Sequence, residues 1–174
     1  MHKNKIFLKI YILIDKIVIL IYNTMCIYRK QEVIRPMNRR KARELAFTLI
    51  YELGVQTDKS ADEIIADTAC EQEFSPDDYI RSVVSGVEKE KETLDAFISE
   101  KAVGWKLERI SGVSLAIMRL AAYEMMNIED VPFNVAINEA VELAKKYDHE
   151  KAPKFINGIL NAIAEEKGLK KPNA

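Results

Sequence analysis

Four cations fall within five residues, Arg39, Arg40, Lys41 and Arg43, in the stretch NRRKARELAF that follows Met37. Guanidinium groups hold phosphate through paired hydrogen bonds, so such a cluster is equipment for gripping a polyanion. Its place at the start of a helix works against local stability. The amino end of a helix carries partial positive charge, and each cation there costs from a few tenths to about 1 kcal/mol. On a helical wheel Arg40, Arg43, Phe47 and Tyr51 fall within about 80° of one another. They occupy a flank of the apolar stripe formed by Ala42, Leu45, Ala46, Leu49 and Leu53. Rings on that flank can stack on unpaired bases, at roughly 1–3 kcal/mol per base. The competing reading is a solvated tail whose rings complete the core.

A second group stands in KAPKFINGILN, residues 151–161. Lys154 and Phe155 lie in the first turn of the last helix, with Phe155 at the edge of its apolar arc. Asn157 and Asn161 share a polar face. The pair adds a cation and a ring; the plainer alternative is a core-edge Phe and a solvated Lys.

Catalysis finds little support. His149 lies in a charged loop, and Cys70 has no basic sequence neighbour to lower its pKa. Glu139 and Glu142 suit an exposed helical face. No Gly-rich phosphate loop or metal-ligand spacing occurs, so no catalytic, cofactor or metal site is expected. The two cysteines, Cys26 and Cys70, form no disulfide framework, which makes a reducing cytoplasm the default setting.

The elements that must position these groups read as helices throughout. With 48% apolar and 30% charged residues, 6 Gly and 5 Pro among 174, the chain suits a helical globular protein. The first 36 residues differ: 19 of them are Ile, Lys, Asn or Tyr. Lys9, Asp15 and Lys16 interrupt their apolar runs too early for a membrane span, and no small-residue cleavage site follows. Residues with A/T-rich codons dominate, so 1–36 reads as a translated upstream region with Met37 as the start; the alternative is a genuine anchor or extension, a disordered or weakly helical leader. That segment holds 7 of the 26 basic and 2 of the 27 acidic residues, leaving a body of net charge −6 with a basic patch at its head. Uniform non-specific binding to nucleic acid does not fit; a local site does.

After the first helix, Ser60 and Glu63 frame a capping box for a short second one. A long third helix is expected, with Ser75 as its cap, Pro76 in its first turn, Gly86 as a break or bend and Gly104-Trp105 as the next boundary. Its run VEKEKET reads as a solvated face or as a docking surface for a basic partner. SGVSLAIMRLAAYEMMNI, 111–128, is apolar almost all round, with Arg119 and Glu124 as its only charges, and so belongs at the centre of the fold. Pro132 opens a helix with a stripe of Ile137, Ala140, Val141, Ala144 and Tyr147, and with Glu142 and Lys146 paired outside. The last helix buries Ile156, Ile159, Leu160 and Ile163 and ends at Gly168. Two small bundles sharing the central helix fit this all-α pattern.

RRKARELAFTLIYEL, VPFNVAINEAVELAKKY and KFINGILNAI together resemble the NusB family of transcription antitermination factors, over about residues 38–166. The resemblance implies an all-helical fold of two three-helix bundles and no enzymatic activity. It implies binding to the boxA element of ribosomal RNA leader transcripts, as single strand, together with the ribosomal protein NusE. The pair would then join RNA polymerase and other Nus factors. Carried onto this sequence, the RNA-binding residues are Arg39, Arg40, Lys41 and Arg43, then Tyr51, and Lys154 with Phe155. No membrane or small-molecule substrate is implied. Ala152 and Pro153 depart from the small polar residue common before the Lys-Phe pair. An accessory RNA-binding module of a ribosomal RNA methyltransferase system is the alternative role, and the helix after Pro76 is the expected NusE-facing surface. On this reading Arg43→Ala weakens boxA binding by about 1–3 kcal/mol and hardly moves melting.

Overall fold

A computed structural model of the chain describes residues 37–71 and 76–169. The leading segment 1–36 and the expected cap Ser75 lie outside the described residues. Among those described, all regular structure is helical: α1 (Arg39–Val55), α2 (Ala61–Glu71), α3 (Asp78–Lys89), α4 (Lys91–Lys101), a 3-10 turn (Leu107–Arg109), α5 (Gly112–Asn127), α6 (Phe133–Tyr147) and α7 (Ala152–Glu166). Among the described residues, Met37–Asp67 and 76–169 form one unit, while Thr68–Glu71 at the end of α2 group with a separate one.

Helix starts follow local chemistry. The Asn38 side chain accepts from the Lys41 amide at 2.9 Å and caps α1. Ser60 and Glu63 form the expected reciprocal box at α2, with the Ser60 amide donating to Glu63 at 2.9 Å and the Glu63 amide to Ser60 Oγ at 3.4 Å. Asp77, not Ser75, caps the next helix by accepting from the Ile80 amide at 2.9 Å, and Pro76 stays outside it. The long third helix is two helices. The chain breaks at Glu90, whose amide still bonds Gly86 O while its own carbonyl opens α4. Gly86 does not bend α3; it lets α3 approach the ring of Tyr123.

Helix α5 is the hub, packing against α1, α3, α4, α6 and α7. Its residues Ala116–Met125 are all buried, as the unbroken apolar pattern predicts. The group α1, α3, α5 and the group α5, α6, α7 share it, with α4 joining α5 to α7. Both charges of α5 find partners across the fold. Arg119 donates twice to Asp95 of α4, at 2.7 Å each, and Glu124 is engaged by α1 and α3. Two expectations for α6 change. Tyr147 is exposed instead of completing the stripe, and Glu142 pairs with Lys145 while Lys146 reaches Glu44 of α1. Glu88, within the acidic run, is structural: it accepts from the Ala61 amide at 3.0 Å and holds the start of α2.

The loop before α7 is anchored at the head of α5. Asp148 accepts from Ser111 Oγ at 2.8 Å and Ser114 Oγ at 2.5 Å, while Ser111 caps α5. Burial pushes the Asp148 carboxyl up, but the two hydroxyls and the His149 amide outweigh it and hold it below the usual value. A depressed folded-state pKa stabilises above the unfolded pKa, and that contribution is lost as pH falls through the folded value. Asp148→Asn is therefore expected to lower stability by about 1–2 kcal/mol at neutral pH, with the gap to the parent closing in acid. Thermal melts across pH 3–7 check it; a gap independent of pH would contradict the assignment.

Candidate nucleic-acid interface

The first turn of α1 presents its cations unequally. Arg39, Arg40 and Lys41 are exposed. The Arg39 guanidinium sits 4.3 Å from the centre of the Tyr79 ring, a cation–π contact that orients it without neutralising it. Arg40, with a side chain 70% exposed, lies 3.9 Å from both Glu139 and Glu142. At that length and exposure the pairing is weak and yields readily to a phosphate.

Arg43 is a different case and corrects the sequence expectation. It is 4% exposed, and its guanidinium faces inward. Nε donates to both carboxylate oxygens of Glu124 at 3.0 Å and Nη2 to one of them at 2.9 Å. Glu124 is 0% exposed and also accepts from the Tyr79 hydroxyl at 2.7 Å. Glu139 lies 3.5 Å from Nη1. Burial disfavours the charged guanidinium, but the hydrogen bond and charge of Glu124 prevail and the Arg43 pKa is raised. Burial, then the Glu124 carboxylate, pushes the Tyr79 hydroxyl up, so it remains a donor. Arg43 is thus a structural tie between α1, α3 and α5, not a group available to a transcript. The wheel placed it correctly beside Arg40, but a flank of α1 is itself covered once α5 and α6 pack.

The aromatic candidates also divide. Phe47 is buried, its ring 5.1 Å from that of Tyr147. Tyr51 remains 40% exposed, its ring lying over Gly112 at the head of α5. At the second site Lys154 is exposed and Phe155 is half-buried. Pro153 fits the first turn of α7 and Ala152 is fully buried, so the departure at these two positions leaves the helix start intact. The Phe155 ring meets Trp105 edge-on, with centres 5.8 Å apart. Trp105 was legible only as a boundary residue. Its signal was an aromatic in a polar loop beside Gly104, whose φ of 82° turns the chain there.

A two-bundle helical scaffold with a cationic helix head and an aromatic–lysine edge defines the class of small α-helical modules equipped to hold a polyanion. Within that class the chain belongs to the NusB family, whose model matches residues 40–165. The transcription antitermination protein NusB of Acetivibrio thermocellus is 50% identical over 133 residues, covering 75% of this chain and 91% of the relative. That of Bacillus subtilis (strain 168) is 43% identical over 130 residues, covering 75% and 97%. The structure is similar to that of T. maritima NusB, with a TM-score of 0.69 and 30% identity over 76% of this chain and 94% of the other. It is also similar to NusB in a crystal structure of antitermination factors NusB and NusE in complex with dsRNA. There the TM-score is 0.65 and the identity 26%, over 75% of this chain and 99% of that one. Among the described residues no helix is long and apolar enough to cross a membrane.

Proposed function

We propose that this chain is a transcription antitermination factor acting in the cytoplasm, binding boxA RNA of ribosomal RNA leader transcripts together with NusE. The assembled pair joins RNA polymerase and other Nus factors. The observation that carries the reading is the exposed cluster Arg39, Arg40 and Lys41 at the head of α1, in a chain of a family with a member solved alongside NusE and RNA. The three cations and Lys154 meet the phosphate backbone, and Tyr51 and Phe155 meet unpaired bases. Each contact alone is modest. RNA and NusE engaging one surface together add a coupling free energy that neither has singly.

The test is a triple variant, Arg39→Ala with Arg40→Ala and Lys41→Ala. Its affinity for labelled single-stranded boxA RNA is expected to fall about 10- to 100-fold through lost charge-assisted contacts. Its log–log salt slope should become shallower by about 2, the counterion release of three phosphate contacts on a single strand. Melting should barely move, since all three side chains are exposed. Fluorescence anisotropy across salt concentrations reads all but the last. Unchanged affinity would remove this patch from the interface, and a duplex bound as tightly as the single strand would remove base stacking.

A further inference from the structure

An open groove of about 790 Å³ lies between the end of α4 and the first turns of α7, lined by Trp105 and Phe155 and, among others, by Lys151, Lys154 and Gly158. Three independent features mark it. Trp105, the single tryptophan of the chain, is 56% exposed, and its neighbour Val103 is 87% exposed. Large apolar groups left in water side by side mark a surface that something covers. The charge on the groove is lopsided. Lys151 and Lys154 are exposed, Glu150 is the one acid among the lining residues, and Lys101 is tied to Glu100 and Glu166.

The third feature is Gly158. It stands inside α7, exposed, three residues after Phe155. Glycine is the poorest helix former after proline, and here no packing asks for it. A Cβ at Gly158 would meet nothing within 4 Å, whereas one at Gly86 would collide with Tyr123. A local rule is broken with no gain to the fold. Absence of a side chain leaves the floor of the groove bare for close approach by a flat group.

We propose that this groove is a slot for one unpaired nucleobase of a single-stranded RNA, with Trp105 as the stacking ring. Lys151 and Lys154 face the adjoining phosphate, and Gly158 keeps the floor open. Cations beside an exposed ring match a nucleotide, which presents a π-face and a negative charge together. The inference deepens the RNA-binding reading and rests on it.

The lone tryptophan makes the test direct. Trp105 emission is followed while unlabelled single-stranded boxA RNA is added, and anisotropy of the labelled RNA is measured in parallel. Emission should be quenched along the same binding curve. Trp105→Leu should weaken binding about 5- to 100-fold, the span of one lost base stack. Gly158→Ala should raise the melting temperature by a few degrees yet weaken binding, a combination a purely structural residue does not give. RNA that binds with Trp105 emission unchanged, and with equal affinity for Trp105→Leu, overturns the slot and leaves the function standing. RNA that fails to bind at all overturns both. Quenching that appears only on adding NusE makes the groove a protein interface and overturns the slot.

Discussion

Arg43→Ala is expected to destabilise the fold by about 3–5 kcal/mol, the cost of stripping one partner from a buried ion pair. The carboxylate left behind, Glu124, is 0% exposed on the most enclosed helix of the molecule. It would keep only the Tyr79 hydroxyl in place of a guanidinium fork. Water cannot replace the lost charge without opening α1 from α5. Arg43→Lys should recover only part of the loss, because an ammonium cannot reproduce the planar double contact. The double variant Arg43→Met with Glu124→Leu should be clearly more stable than Arg43→Ala, since it leaves no orphaned charge. Urea denaturation of the three variants reads the ordering. An Arg43→Ala midpoint equal to the parent's, with weakened RNA binding, would restore the sequence expectation and refute the structural role. The contrast with the exposed triple variant separates the structural arginine of this stretch from the three cations proposed to meet RNA.

Gly86→Ala should be the other severe substitution. The new Cβ would stand 2.1 Å from both Cζ and Oη of Tyr123 and 2.5 Å from Cε2. Tyr123 is 8% exposed on α5, so its ring cannot swing aside into solvent. Helix propensity favours Ala over Gly by about 1 kcal/mol. Forcing a carbon into a filled core costs typically about 1–3 kcal/mol and occasionally more. An overlap of more than 1 Å with a rigid ring places this site at the upper end of that range. A net loss of about 2 kcal/mol or more is therefore expected. Shortening the ring with Tyr123→Leu should relieve it: the double variant should fall short of the sum of the single losses, a coupling expected between touching residues. Thermal or urea melts of the four proteins give the cycle. Additive losses would show that α3 and α5 do not meet at this point.

These two positions show where sequence reading stopped. Gly86 read as a bend because glycine breaks helices locally. Its actual reason is a ring 37 residues away in sequence, which no local rule sees. Arg43 read as a ligand group because its neighbours in sequence and on the wheel are cations. The carboxylate that claims it lies 81 residues on. By contrast the capping box at Ser60 and Glu63, the stripe of α7 and the all-round apolarity of α5 were legible, because each is written within one or two turns of helix.

The same division holds for the interface. Amino-acid order alone determined an all-α chain, a central helix surrounded by others, and a cationic head on α1, since periodicity and capping act over a few residues. Only the tertiary structure decided which of those cations face solvent, that Phe47 is core and Tyr51 is not, and that Trp105 lies against Phe155. The physical reason is burial. A helix has several flanks that look alike in sequence, and the packing of distant helices chooses which one keeps its water.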